Sequence, residues 1–228
     1  MYSAARTIMG HICLSNRHSI PIFISIVALT LFVVFADNIR LRDASAQAFL
    51  SRDISSFPTG NTTSLPTSSN IGNVATYENS TLGVTFTYPS NWQKTELPSP
   101  GTTLVKFISP DNVISPARIE VLIEKIPNQT TLDQYLMRSN DLLSLTVDVT
   151  NIISSDNSTT LSGNPAYTRT FVVKQPLPGT LQGIELEMLQ TISVRGNEGY
   201  TITYSAERPQ FERYLMMVQQ MINSFTIL

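Results

Sequence analysis

The sequence predicts an α+β domain over residues 74–228, an antiparallel β-sheet flanked by helices, preceded by an N-terminal transmembrane or signal segment. Three observations predict it. Short runs of alternating apolar and polar residues recur from Tyr77 onward, joined by brief turns; that is the period of a half-buried strand. Two other segments repeat apolar residues every three or four positions, the period of a helix lying on a core. One uncharged apolar run, residues 20–36, stands ahead of them behind a Ser/Thr/Pro-rich stretch. Too few helices separate the strands for a doubly wound βαβ fold.

Residues 1–19 read as a short cytoplasmic segment. Residues 20–36 are IPIFISIVALTLFVVFA, without a charge. A membrane-crossing helix needs about 17–25 such residues, and a signal-peptide core about 7–15. The run lies between these limits, so two readings stand: a transmembrane anchor, or a signal core cleaved at the small residues near Ala46 or Ala48. A buried core helix is disfavoured, because the run has no polar stripe. Arg6 and Arg17 before it and Arg40 and Arg42 after it leave the charge rule for orientation undecided. Four sequons, at Asn61, Asn79, Asn128 and Asn157, all follow the run. They favour a C-terminal domain outside the cell in a host that glycosylates. The expected location is therefore membrane-anchored with the domain outside, or secreted if cleaved. Residues 37–73 read as a disordered linker, because Ser/Thr/Pro-rich chain buries too little apolar surface to offset its ordering entropy.

Within the domain, Val84, Phe86 and Tyr88 alternate with Thr85 and Thr87, and Pro89 ends that strand. Residues 104–108 form a second strand. Ile119, Val121 and Ile123 alternate with Glu120, Leu122 and Glu124. Residues 131–145 predict a helix with Leu132, Tyr135, Leu136, Leu142 and Leu143 on one stripe, and Thr131 with Gln134 fits a capping box. Residues 152–155 predict a short strand before a turn at Asn157. Residues 167–173 and 186–194 are longer strands, and a Gly196–Gly199 turn leads to Tyr200, Ile202 and Tyr204. The last helix carries Phe211, Leu215, Val218, Ile222 and Phe225 at helical spacing, with Pro209 in its first turn.

Composition narrows function. A net charge of −2 argues against a nucleic-acid partner. Charged residues make up 14% of the chain, below the usual quarter, with Ser, Thr and Asn in their place. The only cysteine, Cys13, and both histidines, His11 and His18, precede the apolar run. The domain therefore has no Ser–His, Cys–His or His-based metal chemistry. No phosphate-binding glycine loop or zinc motif occurs, and Lys94, Lys106, Lys125 and Lys174 lie in no Ser–Lys motif. Glu120 and Glu124 share one strand face, as do Glu185 and Glu187. On neighbouring strands they would gather four carboxylates for a hard cation. The plainer expectation is a solvated or edge-protecting face. Trp92, Tyr77 and the Met216, Met217 and Met221 group are expected to pack in the core. No catalytic, cofactor-binding or metal-ligating residue is assigned.

Some of these residues also resemble a known family. Tyr77, then Leu82-Gly83-Val84-Thr85-Phe86-Thr87-Tyr88-Pro89-Ser90-Asn91-Trp92, is similar to the opening hairpin of the PsbP family. Leu161-Ser162-Gly163-Asn164-Pro165-Ala166-Tyr167 resembles its mid-domain turn and strand. Gly199-Tyr200-Thr201-Ile202-Thr203-Tyr204-Ser205, the closing helix and Ile222-Asn223-Ser224-Phe225 resemble its C-terminal end. The resemblance implies an α/β/α sandwich, a fold shared with Mog-type Ran-binding proteins. It implies binding or assembly rather than catalysis. The tether and the lack of photosynthetic targeting signals depart from the photosystem subunits, so a distant outer-surface relative is implied. The expected function is a non-catalytic extracytoplasmic domain that binds a protein partner or assists assembly of a membrane or surface complex. It would touch the membrane through residues 20–36 and use no cofactor. The alternatives are a carboxylate-based hydrolase and a solute- or metal-binding module.

Overall fold

The computed structural model describes residues 73–112, 115–146, 148–176 and 183–228. The N-terminal segment, the apolar run and all but the end of the linker lie outside the described residues. Among the described residues, no helix is long and apolar enough to cross a membrane.

The elements run β1 (Val74–Asn79), β2 (Val84–Pro89), β3 (Gln93–Ser99), β4 (Thr102–Ile108), β5 (Arg118–Lys125), α1 (Leu132–Thr146), β6 (Asp148–Leu161), β7 (Asn164–Pro176), β8 (Gly183–Arg195), β9 (Glu198–Ala206), α2 (Arg208–Ser224) and β10 (Thr226–Ile227). They form two antiparallel sheets. A small one has the order β1-β2-β10, and a large one the order β3-β4-β5-β9-β8-β7-β6. The α+β expectation holds, with a second sheet added to it.

Strand register assigns the two faces of the large sheet. Phe107 stands opposite Ile119, Val105 opposite Val121, and Ile119, Val121 and Ile123 opposite Tyr204, Ile202 and Tyr200. These side chains share one face with Tyr77, Val84 and Phe86 of the small sheet and with Phe211, Val218, Met221 and Phe225. Phe86 stacks on Tyr77 at 4.8 Å and on Phe225 at 5.2 Å, and Tyr204 stacks on Phe211 at 4.8 Å. Thus α2 and the small sheet cover one face together. The Tyr135 hydroxyl of α1 lies 3.4 Å from Thr201, the strand neighbour of Ile202. Adjacent strand residues point to opposite faces, so α1 covers the other side.

The capping box forms as expected. The Gln134 amide donates to Thr131 Oγ1 at 3.2 Å and the Thr131 amide to Gln134 Oε1 at 3.0 Å. Trp92 and Tyr77 are core residues. The methionines divide: Met221 is buried, Met217 half-buried and Met216 exposed. The α2 stripe is rotated from its expected centre. Phe211, Val218, Met221 and the following Phe225 are buried, whereas Leu215 and Ile222 are half-buried.

Three expectations change. The short strand at 152–155 is part of a fourteen-residue strand that continues through Asn157. The chain reverses at Ser162 and Gly163 instead, both at positive φ (51° and 75°), the backbone that a two-residue hairpin demands. The second change is β3, which the alternation rule does not detect because all seven of its residues are exposed. The third is the Gly196–Gly199 turn, which is shorter than expected: Gly199 is already inside β9.

Candidate functional site

The α1 face of the large sheet carries a polar row that is buried except for the half-buried Thr203. Lys106, Glu120, Thr203, Gln190 and Arg169, one from each of five strands, stand opposite one another in register. Lys106 Nζ lies 3.9 Å from Glu120 Oε1. Gln190 Nε2 donates to Thr203 Oγ1 at 3.2 Å. Arg169 donates to Gln190 Oε1 from Nε and Nη2 at 3.0 and 2.6 Å. Its Nη1 donates to Asn140 Oδ1 of α1 at 2.5 Å. Its guanidinium also sits 5.1 Å from the centre of the Phe171 ring. Burial lowers the Arg169 pKa, but an arginine in a protein stays charged. Buried polar groups persist only where partners replace water, and the bonds among Arg169, Gln190 and Thr203 supply them over β7, β8 and β9.

One turn earlier along α1, Tyr135 donates to Glu124 Oε1 at 2.7 Å, and Arg138 Nη2 lies 3.9 Å from Glu124 Oε2. Burial, and then the Glu124 charge, push the Tyr135 phenol far above its usual range. Glu120 and Glu124 are therefore not the solvated acids that the sequence suggests. They are 7% and 4% exposed, and the cations and the phenol beside them replace water. Lys94, Lys125 and Lys174 are exposed, whereas Lys106 is buried in the row.

The Tyr135 ring rests on the backbone of Gly199. A Cβ there would lie 2.5 Å from Tyr135 Cζ, inside any sustained contact. Gly199→Ala should therefore destabilise by about 1–3 kcal/mol through overpacking. A melting curve measures this, and in a Tyr135→Leu background the same change should cost less, because the contact is shared. Equal costs in both backgrounds would show that the ring is not the obstacle.

On the α2 face an open cleft of about 520 Å³ is lined by Asn151, Ile153, Val172, Glu185, Glu187 and Arg208. Asn151, Val172 and Glu187 form one cross-strand row over β6, β7 and β8. Burial raises the Glu187 pKa; Arg208 opposes the rise and Glu212 adds to it. Arg208 Nε pairs with Glu212 at 3.5 Å. Ile153 of the cleft and its neighbour Ile152 are 51% and 63% exposed on β6, an outermost strand of the sheet.

The four glutamates do not converge. β9 separates β5 from β8, and Glu120 and Glu124 lie on the α1 face while Glu185 and Glu187 line the α2 face. Among the described residues, no group of three His, Cys, Asp or Glu side chains stands ready to hold a metal. Sequence reasoning missed Arg169, Gln190 and Asn140. The available signal was a long polar side chain in the middle of an otherwise β-branched or apolar strand, which needs a partner if the strand is central.

A family model described as PsbP matches residues 72–227, more than half of the chain. The solution structure of cyanobacterial PsbP (CyanoP) from Synechocystis sp. PCC 6803 is similar, with 19% identity and a TM-score of 0.51, covering 72% of this chain and 99% of that one. LpqN of Mycobacterium tuberculosis, described as involved in cell envelope biogenesis, is similar at 12% identity and a TM-score of 0.43, over 68% and 84% of the two chains. A Pseudomonas aeruginosa protein of unknown function, PA94, is similar at 14% identity and a TM-score of 0.40, over 65% and 95%. No curated protein matches the chain in sequence.

Proposed function

The chain belongs to the PsbP family, and from that premise we propose that it is a non-catalytic accessory domain, held outside the membrane by residues 20–36 or released near Ala46 or Ala48, which binds a protein partner or assists assembly of a membrane or surface complex. The observation that carries this reading is how the domain divides its polar groups. Lys106, Glu120, Glu124, Arg169 and Gln190 are buried, engaged in holding strands and α1 together. The β6–β8 cleft instead faces solvent, with exposed Ile153 lining it beside Glu185 and Glu187. Apolar side chains rimmed by charge are the usual composition of a docking face.

Two measurements test the proposal. Protease added to intact cells should remove the domain; survival until lysis would reverse the orientation. The second measurement is cross-linking in the native membrane. Ile153→Asp combined with Glu187→Arg should abolish the partner adduct and leave the melting temperature nearly unchanged, since neither residue is in the core. An adduct that persists in this variant places docking elsewhere.

A further inference from the structure

The geometry points to N-glycosylation of Asn128 and Asn157, with Asn79 left bare; the inference rests on the outward placement proposed above. Three sequons lie in the described residues, and all have Thr at the third position. In the transfer, the asparagine Nδ2 attacks the anomeric carbon of a lipid-phosphate-linked sugar. A C–N bond forms, the anomeric C–O bond breaks, the lipid phosphate leaves with the bonding pair, and one amide proton passes to the transferase. The linked amide keeps a single N–H.

That single hydrogen separates the three sites. Asn79 uses both amide hydrogens: Nδ2 donates to Tyr77 Oη at 3.2 Å and to Glu96 Oε1 at 3.1 Å, while its Oδ1 accepts from the Leu82 amide at 3.0 Å. A glycan would remove one of those bonds and sit against Tyr77, which is 3% exposed. Asn128 is exposed in the turn before α1, next to Gln129 at φ 66°. Asn157 is exposed where β6 bulges between Asp156 and Thr159, out of register with β7. Asp156 fixes that bend by accepting from the Ser158 amide and hydroxyl at 2.8 and 2.7 Å.

The position of Asn157 gives the modification a consequence. It lies four residues, about 13 Å, beyond Ile153 along β6. A glycan there covers the distal part of a strand edge that has no partner among the described residues, and leaves the cleft open. An uncovered edge is a template for unwanted strand addition, so partners would be confined to the cleft end.

The test is mass spectrometry of peptides from the full chain, taken from its own cells or their medium, beside protease treatment of the intact cells. The expected result is sugar mass on the Asn128 and Asn157 peptides and bare mass on the Asn79 peptide. Asn128→Gln and Asn157→Gln should each remove one step of gel mobility, and Asn79→Gln none. An outward domain whose Asn128 and Asn157 peptides are bare defeats glycosylation and leaves the placement standing. A domain protected until lysis defeats the placement and the glycosylation with it. Sugar on Asn79 with Asn157 bare defeats the structural selection.

Discussion

Phe225→Ala is expected to lower stability by about 3–5 kcal/mol, the usual cost of emptying a buried phenylalanine site. Phe225 is 2% exposed. Its ring stacks on Phe86 of β2 and meets Tyr200 of β9 edge-on at 6.1 Å. It therefore joins both sheets just beyond α2. A domain of this kind has about 5–15 kcal/mol in total, so the variant should melt far lower or fail to fold. Leu215→Ala, at a half-buried position, should cost clearly less. Met216→Ala, where the side chain is 69% exposed, should be nearly silent. Urea unfolding of the three variants ranks them. A Leu215 effect as large as that of Phe225 would mean that α2 is rotated from the orientation described.

The contrast between Leu215 and Met221 shows what sequence could and could not reveal. Helical spacing marks an apolar stripe, but both residues lie within reach of it. Only the partner sheet decides which side is the centre. The strands show the same limit. Alternation found β2, β5 and β9, whose apolar residues line the α2-side core, and β8, whose Leu186, Met188 and Ile192 face α1. It did not find β3, whose residues are all exposed, because an edge strand with no buried side chain leaves no apolar period. It truncated β6 for the same reason, since residues 151–158 are all exposed. Glu185 is exposed as expected, but the Glu120 and Glu124 pair was placed correctly along its strand and wrongly in its surroundings. Glu120 and Glu124 read as surface because carboxylates usually are. Their burial depends on Lys106, Arg138 and Tyr135, which strand order and α1 bring together, and no local pattern records that.

The tyrosines carry the other large effect: above pH 10 the domain is expected to unfold cooperatively. Burial and the Glu96 charge push Tyr77 up to about 12, and burial with Asp111 does the same for Tyr214. Tyr135, Tyr200 and Tyr204 are raised further, in each case chiefly by burial. A raised phenol pKa means that the folded state prefers the neutral form. The associated stability is complete below the unfolded value near 10 and is lost as pH rises toward the folded one. Between those values the unfolded chain has released protons that the folded chain still holds, so the slope of stability with pH is negative. Each phenol contributes about 1.4 kcal/mol per pH unit there. Tyr135, Tyr200 and Tyr204 are at most 3% exposed, and together they remove about 4 kcal/mol per unit, so within about two units they exhaust a stability in the lower part of the usual range of about 5–15 kcal/mol. Tyrosinate absorbance and the fluorescence of Trp92, the only tryptophan, should then change together at one midpoint. If the tyrosinate signal of all eight tyrosines instead grows gradually around pH 10 while Trp92 stays buried, these phenols are open to solvent and the packing of Tyr135, Tyr200 and Tyr204 described above is wrong.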